Sequence, residues 1–121
     1  MKVFDPGHVF LMDSIDGGKP VKITFVKREG LGYPGNKGHH PGTNLQELLR
    51  VFIARTQYLN NQQPCNENQQ NISAARLMLM NLESRAARRH GLHEKDVNQI
   101  DLENIPYCSV CGHWVCKGHP K

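Results

Sequence analysis

No apolar run in this chain approaches the ~18 residues that a bilayer-spanning helix needs. The first residues also lack the basic-then-apolar pattern of a signal peptide. A membrane partner is therefore not expected, and the expected location is the cytoplasm. There the sequon Asn71-Ile72-Ser73 has no meaning as a glycosylation site. Apolar residues are sparse, at 38% with a mean hydropathy of −0.57, which argues against a large private core. Small domains of this kind lean on oligomerisation or a metal.

Catalytic patterns are missing as well. No paired carboxylates share a recognisable face, and there is no nucleophile elbow, P-loop or H-E-x-x-H. Gly30-Leu31-Gly32-Tyr33-Pro34-Gly35 spells G-x-G-x-x-G. The dinucleotide reading fails, because that motif must open directly into a helix, and here a proline interrupts it before the next helix begins. An enzyme is not expected.

What the chain does have is positive charge, +4 with histidines neutral and a pI of about 9.0. This balance suits an anionic partner but is mild for long nucleic acid, which calls for a stripe of phosphate contacts. A small phosphorylated ligand fits equally well, and a solvated basic face remains the plain alternative.

The expected fold is α+β. Residues 1–42 form a β-hairpin or small antiparallel sheet with a glycine-rich loop, packed on an antiparallel helical hairpin over 43–91. A spacer over 92–105 leads to a zinc-binding tail over 106–121. In the hairpin, His8 to Asp13 is a short apolar run, and Val21-Lys22-Ile23-Thr24-Phe25 alternates with the period of a half-buried strand. Between them Asp16-Gly17-Gly18 supplies the positive φ angles of a tight turn. A lone hairpin is marginal in water, so it should pack on the helices or on another chain. The loop from Arg28 to Gly42 holds five Gly and two Pro. Its backbone N–H groups beside Arg28 and Lys37 could receive phosphate, or it is only a linker.

The first helix is expected to start near Thr43, with Thr43 and Gln46 as a capping box. Leu45, Leu48, Leu49, Phe52, Ile53, Thr56 and Leu59 follow at helical spacing up to Asn60-Asn61, before Pro64. The second helix runs from about Asn68–Asn71 to His90, with Gly91 as its C′ residue. Ile72, Ala75, Leu79, Leu82 and Ala86 form a stripe that Leu77, Met78 and Met80 widen beyond one face. A short joint makes the helices antiparallel. The excess apolar width predicts an interface between subunits.

Arg85 and Arg89 share a helix face near the C-terminus, with Arg88 beside them. The macrodipole alone explains cations there. Bidentate phosphate recognition or stacking on a base is the sharper reading. The antiparallel arrangement would bring them toward Thr43 and the loop, where a helix N-terminus also favours anions. At the other end Tyr58 offers a stacking face and Asn68 a polar group for a base edge. The plain alternatives are a packed aromatic and a helix cap.

The tail reads Cys108-x2-Cys111-x4-Cys116-x2-His119. Three thiolates and an imidazole satisfy tetrahedral zinc, and each two-residue spacer lets a pair chelate from a tight turn. Four protein ligands make a closed, structural site. His113 is a substitute fourth ligand, and reduced thiols without metal are the plain alternative. Cys65 is expected to be an ordinary thiol in the interhelical turn.

Val21 to Arg28, Tyr33-Pro34-Gly35-Asn36, Gly42 to Arg50 and Glu83-Ser84-Arg85-Ala86-Ala87 together resemble the Thoeris anti-defence protein 1 family of phage proteins. The helical hairpin also resembles anti-CBASS protein 2. The resemblance covers roughly residues 8–91 and not the tail. It implies a non-enzymatic sponge that holds a cyclic nucleotide immune signal, chiefly glycocyclic ADP-ribose and in some members cyclic oligonucleotides, in the host cytoplasm. It implies a homo-oligomer, dimer or hexamer. Tyr58 then corresponds to the base-stacking aromatic, Asn68 to the interhelical polar contact and Arg85 and Arg89 to the phosphate-holding arginines. Arg28 corresponds to the basic residue at the start of the covering loop. Gly42 and Thr43, with the arginines, would serve a second class of pocket. The competing readings are a zinc-ribbon nucleic-acid-binding regulator and an enzyme that degrades the signal.

Overall fold

The computed structural model describes residues 1–28 and 39–89, apart from the side chains of Arg28, His39 and Arg89. The described residues are α+β, a small antiparallel sheet and two packed helices. They fall into two compact units, Met1–Asn44 and a second that begins at Leu45.

The first unit is built on a three-stranded antiparallel sheet of β1 (Lys2–Asp5), β2 (Val9–Met12) and β3 (Val21–Thr24), in the order β1-β2-β3. The expected hairpin of β2 and β3 is present, and Asp16 and Gly17 take the positive φ angles at 61° and 79°. Ser14 Oγ closes the turn by donating to the Lys19 carbonyl. The preceding strand β1 was not anticipated. It is joined to β2 through Pro6-Gly7, where Gly7 has φ 79°. The register shifts between Val3 and Asp5, so Phe4 bulges at the sheet edge. Such bulges twist an edge away from further pairing.

Register decides which side chains share a face. Val3 stands opposite Phe10, Phe10 opposite Ile23 and Met12 opposite Val21, which makes one face apolar. Phe10 and Phe25 add an edge-to-face contact at 5.9 Å between ring centres. No described residue of this unit is buried. The ends of the glycine-rich segment also pair, as β4 (Lys27–Arg28) against β5 (His39–His40). The segment expected to be loop throughout is therefore clamped at its base.

The second unit is the helical hairpin, α1 (Leu45–Gln62) and α2 (Asn66–Arg89). Two expectations about helix ends are corrected. The helix starts near Thr43, as expected, but Thr43 does not form the capping box: it makes a parallel bridge to Phe25, donating to the Thr24 carbonyl at 2.8 Å and accepting from Val26 N–H at 2.9 Å. Asn44 is left in the cap position, a residue type suited to it. At the joint, α2 starts about a turn earlier than expected, because Cys65 already offers its carbonyl to Gln69 N–H at 3.3 Å. The joint is fixed by Asn60 Oδ1, which accepts from Cys65 N–H at 3.1 Å. Cys65 is a free thiol, as expected.

The core lies between the helices and is small: Ile53, Ile72, Ala75 and Leu79, with Leu49 packed against it. On α1 the inward stripe is Gln46, Leu49, Ile53, Thr56, and the Thr56 hydroxyl is satisfied by the Phe52 carbonyl at 2.7 Å. Leu45, Phe52 and Leu59, seven residues apart, form a neighbouring stripe that points outward. A 3.6-residue period separates the two stripes by one position, so both look helical in sequence.

Candidate functional site

Tyr58 projects from the last turns of α1 with 55% of its surface exposed. Its hydroxyl accepts a hydrogen bond from Gln62 Nε2 at 3.0 Å, one turn on. The Arg55 guanidinium lies 5.6 Å from the ring centre. That cation–π contact holds the ring in place and puts positive charge beside it. The plain alternative of a packed aromatic does not hold: the ring is presented to solvent. Asn68 is half-buried in the first turn of α2, inside the helix and not its cap.

Arg85 is exposed on the C-terminal part of α2, and Arg89 is the last residue of that helix. Arg85 is not close to Tyr58 within one hairpin. Arg50 faces Glu83 across the helices, so Arg85 lies near the level of Leu48. Tyr58 is ten residues farther along α1, which at 1.5 Å per residue is about 15 Å.

Gly42 and Thr43 belong to the first unit, and each has a local structural reason. A Cβ on Gly42 would lie 2.5 Å from the Phe25 carbonyl carbon and the Val26 nitrogen, and 2.7 Å from the Thr24 oxygen. Only glycine lets the chain pass so close before Thr43 bridges to Phe25. Arg28 is in β4 opposite His39. The convergence expected between this region and the arginines would need residues of both units. Lys37 and the residues expected to bind zinc, Cys108, Cys111, Cys116 and His119, with His113 as substitute, lie outside the described residues. Among the described residues no cluster of His, Cys, Asp and Glu is placed to hold a metal, and no helix is long and apolar enough to cross a membrane.

Two polar groupings escaped the sequence reading. The first is Arg50, Glu47 and Glu83. Glu83 is fully buried, with Oε1 accepting from Arg50 Nη2 at 3.2 Å and Oε2 buried without a hydrogen bond. Glu47 approaches Arg50 Nη1 at 3.6 Å. Burial pushes the Glu83 carboxyl above its ordinary value, and the Arg50 charge and hydrogen bond only partly offset this. A signal was available: Glu83 follows Leu79 by four residues and so falls on the apolar stripe. The second grouping is a depression of about 270 Å³ in the first unit, lined by Asp5, His8, Val9, Thr24, Phe25, Lys27 and His40. No sequence spacing unites those residues, because strand pairing brings them together.

No family model, curated protein or solved structure matches this chain.

Proposed function

We propose that the chain is a non-catalytic sponge. It sequesters a cyclic nucleotide immune signal, glycocyclic ADP-ribose with cyclic oligonucleotides as further ligands, and so blocks bacterial Thoeris or CBASS defence. One observation carries the reading. The helical hairpin turns an aromatic ring and a guanidinium outward, Tyr58 and Arg85, together with apolar residues that a monomer leaves wet. Leu45, Val51, Phe52, Leu59, Leu77 and Met78 are all exposed. A homo-oligomer, dimer or hexamer, would bury that surface and enclose a ligand at the seam. The separation of about 15 Å between Tyr58 and Arg85 along one hairpin fits this arrangement. A two-fold partner running the other way brings one copy's ring toward the other copy's arginine. Asn68 and Arg89 of the same hairpin would complete such a pocket, and Arg28, Gly42 and Thr43 of the sheet unit are further candidate ligand contacts. In this proposal the tail is a closed zinc site that steadies the chain end. Metal analysis should then find zinc bound to the wild type and lost from Cys108→Ser with Cys111→Ser.

Calorimetric titration with glycocyclic ADP-ribose and with cyclic di- and trinucleotides tests the sponge. Saturable binding, with the ligand recovered unchanged after heat denaturation, is the expected result. No binding to any of them, or recovery of a cleaved product, overturns it. Arg85→Ala is expected to weaken binding about tenfold or more, the scale of one charged hydrogen bond, with the circular dichroism of the helices unchanged. Equal affinity in that variant sinks the assignment of Arg85 to phosphate.

A further inference from the structure

The connection between β2 and β3 runs from Asp13 to Pro20. At its tip stand Asp16 and Gly17, both exposed, with φ angles of 61° and 79°. This is the one Asp-Gly step in the sequence, and no Asn-Gly step occurs. Such a step sets a side-chain carboxyl beside the least hindered backbone nitrogen a chain can offer, because glycine carries no Cβ.

A folded chain protects such a step by holding the carboxylate in an ion pair or the backbone N–H in a hydrogen bond. Neither protection operates at this tip. Among the described residues the Asp16 carboxylate has no hydrogen bond or ion pair, and no backbone hydrogen bond engages Gly17 N–H. The bonds of the connection lie to either side. Ser14 Oγ donates to the Lys19 carbonyl, and the Asp13 carboxylate accepts from the N-terminal amine at 2.8 Å. Space is not limiting, since nothing lies within 4 Å of a Cβ built on Gly17. Asp16 also stands in the left-handed region, which a non-glycine residue leaves readily when nothing holds it. The other described aspartates differ. Asp5 pairs with Lys27 and precedes Pro6, which has no N–H to react. Asp13 is paired and precedes Ser14, whose Cβ crowds the nitrogen.

We propose that Asp16-Gly17 is a modification site, where the chain isomerises spontaneously to isoaspartate through a succinimide. The Asp16–Gly17 peptide plane first rotates out of its turn setting. The Gly17 nitrogen then attacks Cγ of Asp16 in its neutral acid form. A C–N bond forms, the C–OH bond breaks, and the nitrogen's proton leaves with the hydroxyl as water. Water next opens the cyclic imide. Attack at Cγ restores aspartate. Attack at the backbone carbonyl carbon leaves the chain running through the side-chain carbonyl, with a pendant α-carboxylate. Nothing is oxidised or reduced, and solvent water is the only co-reactant. The product gains one backbone methylene at the tip and keeps its mass. The strand pairs from Met12↔Val21 to Val9↔Thr24 lie outside the altered step, so the sheet keeps its register. The site shares no residue with the sponge reading and stands or falls without it.

The test is incubation of the full chain at body temperature in mildly acidic buffer. Isoaspartate is read by methyl transfer from a protein-isoaspartate methyltransferase and located by fragmentation mass spectrometry. It is expected at position 16 ahead of every other aspartate and asparagine. The folded rate should lie within about tenfold of the rate in urea, because a loop tip without hydrogen bonds has little protection to lose. Asp16→Asn, which tolerates the left-handed region equally well, should form isoaspartate faster, with ammonia leaving in place of water. Asp16→Glu should abolish the signal at this position, because its longer side chain closes the imide ring far more slowly. Amide spectra of the sheet confirm that each variant is folded. Isoaspartate appearing first elsewhere, a folded rate more than about tenfold below that in urea, or an unchanged rate in Asp16→Asn overturns the site.

Discussion

Glu83→Ala is expected to destabilise the helical unit by about 2–3 kcal/mol, read as a lower urea midpoint at unchanged slope. Glu83 is fully buried and Arg50 keeps only 9% of its side chain exposed. Removing the carboxylate leaves a guanidinium in the helix interface. Breaking a buried pair in this way generally costs about 3–5 kcal/mol. Two features place this case lower. Glu47 stays 3.6 Å from Arg50 as a second counter-charge. The unbonded Glu83 Oε2 already burdens the wild type, and that burden disappears with the side chain. The same reasoning makes the double variant Glu83→Leu with Arg50→Met neutral or stabilising, because an apolar pair of similar volume needs no desolvation of charge. Equal losses in the single and double variants would show that volume and not charge dominates.

Glu83 also predicts a pH dependence, and the sign follows from its direction of shift. Burial raises its folded-state value above its ordinary, unfolded value. Between those two values the folded chain holds more protons than the unfolded chain. Its contribution is therefore fully present at low pH and lost as pH rises through the folded value. Glu83→Gln keeps an oxygen for Arg50 and removes the titration. Its stability profile against pH should be flatter than the wild type's in the mildly acidic range. An unchanged slope would mean the carboxyl is not the group responsible.

Gly42→Ala is the second large effect expected. The new methyl would meet backbone atoms of Thr24, Phe25 and Val26 at 2.5–2.7 Å, and backbone cannot rotate away as a side-chain tip can. The bridge through Thr43, with its bonds at 2.8 and 2.9 Å, must open to make room. Overpacking of this kind costs about 1–3 kcal/mol. The loss should appear as faster amide exchange at Thr43 and Val26 while the α1–α2 core keeps its protection. If those amides stay protected, the close approach to Thr24, Phe25 and Val26 is not what requires glycine at position 42.

Much of the architecture was legible because local rules carried it. Alternation in Val21 to Phe25 and the Asp16-Gly17 turn marked the β2–β3 hairpin. Ile72, Ala75, Leu79 and Ala86 marked the buried stripe of α2. The strand β1 escaped although Pro6-Gly7 is itself a turn signal, because Lys2–Asp5 is too short to show a period. Thr43 was misassigned for a different reason. Its capping pattern is genuine as sequence, but the backbone bond to Thr24 wins over a side-chain cap. Of the candidate ligand contacts, exposure of Tyr58 and Arg85 supports their availability. Gly42 acquires a sufficient structural role.

The sequence by itself determined the β2–β3 hairpin, the antiparallel helical pair and the positive charge, since these depend on residues within a turn or two of each other. It also named the outward Tyr58 and Arg85. Only tertiary structure decided which of two adjacent stripes of α1 faces inward. It alone paired Glu83 with Arg50, thirty-three positions apart. It alone gathered His8, Lys27 and His40 around one depression. Those outcomes depend on strand register and helix facing, which are set by the packing of distant segments, and a single local window carries no record of that packing.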